Sequence, residues 1–174
     1  MLWLFLLYSF SLSAMDNNIA ILDALLKDHG SPIKSYDWFV QRNDQEKKIE
    51  LGLLLKAVIA DFTVFPSQSA TLCEQLRVLI AQFNADPCHD LPIYTENTLW
   101  SNGKTASKVV SSSPIENAIK ANCLEVLQVI AAVRPGIFES ERNLQNFMHD
   151  IPKSACRDFL LDKLETITER KSDL

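Results

Sequence analysis

Apolar residues recur three or four positions apart in several separate runs, the spacing of helices that bury one face. Ile19, Leu22, Leu25 and Leu26 form the first run. Asp16 or Asn17 is placed to cap it, and His29-Gly30-Ser31-Pro32 to stop it, with Gly30 where a left-handed residue suits a helix end. Ile33–Asn43 reads as a packed connector carrying Tyr36, Trp38 and Phe39. Lys47–Phe62 is apolar on most sides, which predicts a helix with other helices on both flanks. Pro66–Ser69 interrupts it, and Ser69 or Thr71 caps a further helix over Ala70–Phe83, with Leu72, Leu76, Leu79, Ile80 and Phe83 on one face.

Cys88–Ser112 is the least helical stretch, with Pro92, Gly103 and a serine run, and is expected to be a long surface loop. Tyr94 and Trp100 are its natural contact residues, unless they tuck back onto the helices. From Ser113 the pattern is helical again, but interrupted. Ser113-Pro114 opens a two-turn helix, Asn122 ends it, and a second apolar run follows at once. Pro135-Gly136 marks a turn. Glu139–Asp150 and Pro152–Arg170 predict two more helices, the second aligning Cys156, Phe159, Leu160, Leu164 and Ile167 and starting at Pro152.

The interruption becomes intelligible once the chain is compared with itself. Segments within residues 70–87 and 122–135 align at an offset of 51, which sets Glu74 on Glu125, Leu76 on Leu127, Val78 on Val129, Leu79 on Ile130 and Ala81 on Ala132. The N-terminal run, ending in Gly30 and Pro32, follows the same outline. Short helix pairs cannot bury their apolar faces alone and stack along a line. An irregular helical bundle is the competing arrangement.

These segments resemble the ankyrin repeat, whose first helix opens Thr-Pro-Leu-His-x-Ala and whose hairpin reads Gly-Ala-Asp-Pro. Ser113-Pro114-Ile115-Glu116-x-Ala118 takes the opening, Ala121-Asn122-Cys123 the break, and Leu124–Ile130 the second helix. Asn84-Ala85-Asp86-Pro87 takes the hairpin signature, with Asn in place of Gly, the next residue to accept a left-handed backbone. Glu116 replaces the histidine of the opening. The spacing of 51 exceeds the family's repeat of about 33, so an insertion separates the two units. The resemblance implies an all-α fold: a short stacked helix-pair (ankyrin-like) solenoid with atypical capping helices and a long inserted loop.

The chain has 174 residues, 47% hydrophobic and 22% charged, with four glycines and seven prolines, the composition of one helix-rich globular domain. Residues 15–174 are read as that domain. Met1–Ala14 is an apolar leader with three open readings: a cleaved signal ending at Ala14, a membrane-associating segment, or an over-extended start ahead of Met15. It is too short to span a bilayer. A net charge of −5 argues against nucleic acid as a partner. Four cysteines without a CxxC pair argue against zinc, and Cys73, Cys123 and Cys156 read as small buried hydrophobes.

No catalytic residue, cofactor site or metal site is expected. Asn102-Gly103-Lys104-Thr105 imitates the end of a phosphate loop, but Thr98 stands where the first glycine belongs. His29, His89 and His149 are isolated from any nucleophile signature, and Asp86 and Asp90 flank a turn that explains them. The ankyrin resemblance implies a non-catalytic protein–protein interaction module, a class that includes the effector type that bacteria deliver into host cells. The chain is then cytoplasmic or delivered, or secreted if the leader is a cleaved signal. The expected contacts with a protein partner are Asn84, Asp86 and His89 in the hairpin, Tyr94 and Trp100 in the loop, and Glu116, Asn117 and Lys120 on the first helix. The alternative is a helical enzyme or small-ligand-binding protein with a dispersed site.

Overall fold

The computed structural model describes residues 2–29, 34–99, 105–149 and 151–172, with side-chain surroundings for 15–29, 34–91, 111–149 and 151–171. Gly30, Trp100 and the Asn102–Lys104 stretch lie outside the described residues. The described chain is mostly helical. Helix α1 (Leu2–His29) runs without a break through Met15, so the expected cap at Asp16 or Asn17 is not one. Polar Asp16, Asn17 and Asn18 sit in its interior, and among its described side chains, from Met15 on, only Leu22, Leu25 and Leu26 are fully buried. Nothing in that stretch forbids helix, because Asp and Asn cost a helix interior only a few tenths of a kcal/mol each, roughly.

A short helix α2 (Tyr36–Val40) follows, its first turn capped by Ser35, whose hydroxyl accepts the Trp38 N–H at 3.3 Å. As expected of the connector, Phe39 is buried and Tyr36 and Trp38 are partly so. Helix α3 (Asp44–Val64) starts on a capping box: Asn43 Oδ1 accepts the Glu46 N–H at 2.9 Å, and the Glu46 carboxylate accepts the Asn43 N–H at 3.2 Å. It packs against α1, α4, α5 and the start of β1. Even so, Ile49, Leu53 and Val64 remain exposed, so its apolar circumference is not fully covered.

Helix α4 (Ser69–Arg77) continues into a wider π turn over Val78–Gln82. The expected surface loop is instead an antiparallel β-hairpin, β1 (Leu91–Leu99) and β2 (Thr105–Ser112), paired from Leu91 opposite Ser112 to Leu99 opposite Thr105 with a one-residue shift of register between Pro92 and Tyr94. Tyr94 lies in β1, opposite Val110. The β-branched residues Thr95, Thr98, Thr105, Val109 and Val110 favour strand, while the many Ser, Thr and Asn hide the pattern. Leu91 anchors the hairpin to α3. A Cβ on Gly52 would stand 2.8 Å from Leu91 Cδ1, so only glycine admits this close approach without movement.

Helices α5 (Pro114–Lys120) and α6 (Leu124–Val133) are the two halves of the interrupted stretch. Asn122 turns the chain between them with φ 55°. The Asn122 N–H donates to the Ile119 carbonyl at 3.0 Å and the Cys123 N–H to the Ala118 carbonyl at 2.9 Å, the paired bonds of a Schellman ending. Helices α7 (Glu141–Met148) and α8 (Ala155–Ser172) complete the fold. Pro152 lies outside α8. Ser154 opens that helix instead, its hydroxyl accepting the Arg157 N–H at 3.3 Å, a bond proline cannot supply.

Helix α3 packs on α4 and on α5, α4 packs on α6, α5 on α6, and α8 on both α6 and α7. Fully buried Leu54, Leu55, Leu76, Leu79, Ile115, Leu127 and Ile130 fill the space between these pairs. Of the cysteines, Cys123 and Cys156 are buried, whereas Cys73 is only partly so. Among the described residues no helix is long and apolar enough to cross a membrane.

Candidate functional site

The corner after α4 is built by its helix ending. The π turn carries the Phe83 N–H back to the Val78 carbonyl at 3.3 Å and the Ala85 N–H to the Leu79 carbonyl at 2.9 Å. Between them Asn84 takes φ 57°, the left-handed conformation expected at the glycine position. Asp86 then closes a turn on itself. Its Oδ1 accepts the Cys88 N–H at 2.9 Å and its carbonyl the His89 N–H at 3.2 Å, the Asx-type role expected for it. The Pro87 carbonyl accepts the Ile115 N–H at 2.9 Å, which ties this corner to the first turn of α5.

Asn84, Asp86 and His89, three of the expected contact residues, come together in one cleft of about 290 Å³. Its other walls come from Gln45, Lys48 and Leu51 of α3, from Ala85, and from Arg134 just after α6. An Arg134 Nη donates to Asn84 Oδ1, so the left-handed residue also holds the guanidinium. A second lobe, walled by Phe39, Lys47 and Phe83, shares Lys48, Leu51 and Asn84 with the first. Phe83 meets Tyr36 edge-on at 6.4 Å between ring centres.

The first-helix residues lie elsewhere. Glu116 and Lys120 line a shallow groove of about 330 Å³ with Ile119, Phe147, His149 and Ile151. Glu116 is also structural: its carboxylate accepts the Ser113 N–H at 3.3 Å while Ser113 Oγ accepts the Glu116 N–H at 3.4 Å, the reciprocal bonds of a capping box. Asn117 Oδ1 accepts the Ser112 hydroxyl at 2.9 Å. Lys120 is exposed. Lys56 of α3 belongs to the same side of the fold. Burial lowers its pKa, while the charges of Asp90 and Glu116 raise it and that of Lys120 lowers it further. The expected contacts therefore divide between two places, and Trp100 and the Tyr94 side chain lie outside what is described.

Two features escaped the sequence reading. Glu50, almost wholly buried, receives Lys34 Nζ at 2.7 and 2.9 Å on its two oxygens. Lys34 and Arg42 both sit over the Trp38 ring, 5.1 and 4.5 Å from its centre. This pins α2 to α3, and the one signal for it was a carboxylate inside the apolar run of α3. The second feature is Arg134 itself, distant in sequence from every other residue of its cleft.

Cys88, beside His89, is the nucleophile nearest this corner, but burial and the nearby Asp86 push its thiol up to about 11, which keeps it protonated at neutral pH. Among the described residues no group of three or more His, Cys, Asp or Glu is placed to hold a metal ion. No protein-family model matches the chain, and neither the curated proteins nor the solved structures contain a match to it.

Proposed function

We propose that the chain is a non-catalytic protein–protein interaction module of ankyrin-like build, with α3–α4 and α5–α6 as two stacked units and α1 and α7–α8 as caps. One observation carries the reading: α3 packs on α5 while α4 packs on α6, so two helix pairs lie side by side in the same sense. Burial supports the 51-residue correspondence. Leu76 and Leu127, Val78 and Val129, and Leu79 and Ile130 are buried in both copies, while Glu74 and Glu125, and Ala81 and Ala132, are exposed in both. Such stacking leaves loop corners and first-helix edges free for a partner, and the two places that gather the expected contacts are one of each.

The test uses the full chain as bait in extracts of its source cells, beside a Glu116→Gln/Lys120→Glu variant and an Asn84→Gly/Arg134→Gln variant of unchanged helix content. The expected result is a protein retained by the native chain and lost or weakened at least about tenfold by one variant, the worth of one or two interface contacts. A protein retained equally by all three, or turnover of a small molecule with no protein retained, overturns the reading.

A further inference from the structure

We propose that the two-lobed corner cleft is a docking site for a short peptide segment of a protein partner in which an acidic side chain stands next to an aromatic or large apolar one. The inference rests on the reading of the chain as an interaction module and adds the class of segment it takes.

The first lobe supplies the charge. Lys48 and Arg134 stand here opposite one carboxylate, Asp86, one of whose oxygens already accepts the Cys88 N–H. That lobe is locally cationic in a chain whose net charge is −5. Arg134 is positioned rather than loose. Asn84 accepts from one of its terminal nitrogens, and a guanidinium fork carries five N–H donors in a plane that matches a carboxylate. The positioning residue is itself held in a left-handed backbone, a conformation few side chains tolerate.

The second lobe supplies the apolar contact. Phe39, Leu51 and Phe83 offer ring and methyl surface, Phe83 being steadied by Tyr36, and Lys47 stands at the edge. Because Lys48, Leu51 and Asn84 wall both lobes, one extended peptide would fill them with neighbouring residues, which rise about 3.3 Å each. A nucleic acid would place like charges along its backbone, and the carboxylates of Asp44 and Asp86, one in each lobe, oppose that.

The experiment is a titration of the isotope-labelled full chain, read by amide NMR shifts, with acetyl-Glu-Phe-amide, acetyl-Gln-Phe-amide, acetyl-Lys-Phe-amide and inorganic phosphate. Saturable shifts by the Glu peptide are expected at residues 47–51, 83–89 and 134, with binding about tenfold weaker for Gln and weaker still for Lys. Arg134→Gln is expected to abolish the preference for Glu over Gln. Should that variant lose its shift dispersion, the exposed Lys48→Gln decides in its place. Equal binding of the three peptides, shifts elsewhere, or none up to about 10 mM overturns the proposal, since such contacts reach millimolar affinity. Phosphate reproducing the same shifts more tightly also overturns it, in favour of an anion site. A partner retained in the bait experiment while the peptides fail removes this proposal alone; no retained partner removes the reading beneath it.

Discussion

Replacing Asn122 by alanine removes two separate contributions, and a set of three variants tells them apart. The backbone at Asn122 has φ 55°, where alanine is strained by about 1–2 kcal/mol and glycine is not. The side chain contributes as well: Asn122 Oδ1 accepts the Cys156 N–H at 3.2 Å, which fastens the first turn of α8 to the turn between α5 and α6. Losing that bond costs about 1 kcal/mol, a typical value for a partly buried neutral pair. Asn122→Ala is therefore expected to destabilise by about 2–3 kcal/mol. Asn122→Gly loses the side-chain bond and adds some backbone freedom to the unfolded chain, but carries no strain, and is expected to cost about 1–2 kcal/mol. Asn122→Asp keeps both the acceptor and the tolerance for a left-handed backbone and is expected to stay within about 0.5 kcal/mol of the native chain. The assay is urea unfolding followed by far-ultraviolet circular dichroism, with an unchanged m-value as the check that the unfolded state is the same. Alanine as stable as glycine would refute the strain argument, and aspartate as damaging as alanine would refute the role of the acceptor.

Gly52→Ala is expected to gain about 1 kcal/mol of helix propensity in a Leu91→Ala background and to lose most of that gain beside native Leu91; equal effects in both backgrounds by urea unfolding would contradict the 2.8 Å approach. Glu50→Ala is expected to cost about 2–4 kcal/mol, because it strands the Lys34 ammonium against α3, and Lys34→Met in the same background should restore part of the loss; an additive double variant would contradict the pairing. Burial raises the Cys88 and Cys156 thiols to about 11 in the folded chain, above their value when unfolded. The neutral thiols therefore favour folding fully below about pH 9, and that contribution is lost as pH rises toward 11. A Cys88→Ala/Cys156→Ala chain is expected to show a flatter decline over that window, and alkylation of both thiols at pH 8 should be slower in the native chain than in urea; equal rates would refute the shift.

The helices from α3 onward were legible because their apolar residues recur at helical spacing and their ends carry Pro, Ser and Asn, residues with specific backbone roles, whereas the single-turn-scale α2 was read as a connector. Asn84 was legible as a left-handed position for the same reason. The hairpin was not, since its strands alternate polar with polar and begin beside Pro92, so no apolar face announces a period of two. The start of α1 was missed because Asp and Asn cap helices well and yet survive inside them. The corner cleft was half legible. Asn84, Asp86 and His89 are neighbours in sequence, but Lys48 and Arg134 reach them only through the packing of α3 and α6, and no local pattern encodes that.

The bonds at the foot of the hairpin have a consequence for how this chain tolerates rearrangement. Pro87 reaches Ile115 across a single hydrogen bond of 2.9 Å, and Leu91 faces Ser112, so the described strands leave and rejoin the fold side by side at the ends of the segment 92–111. A port of that kind accepts deletion or foreign sequence without asking the helices to move. Closing it with a two-residue turn shortens the loop roughly tenfold, which lowers its closure entropy by about 2 kcal/mol. The same excision would bring the 51-residue spacing down to about 33, the length of an ankyrin unit.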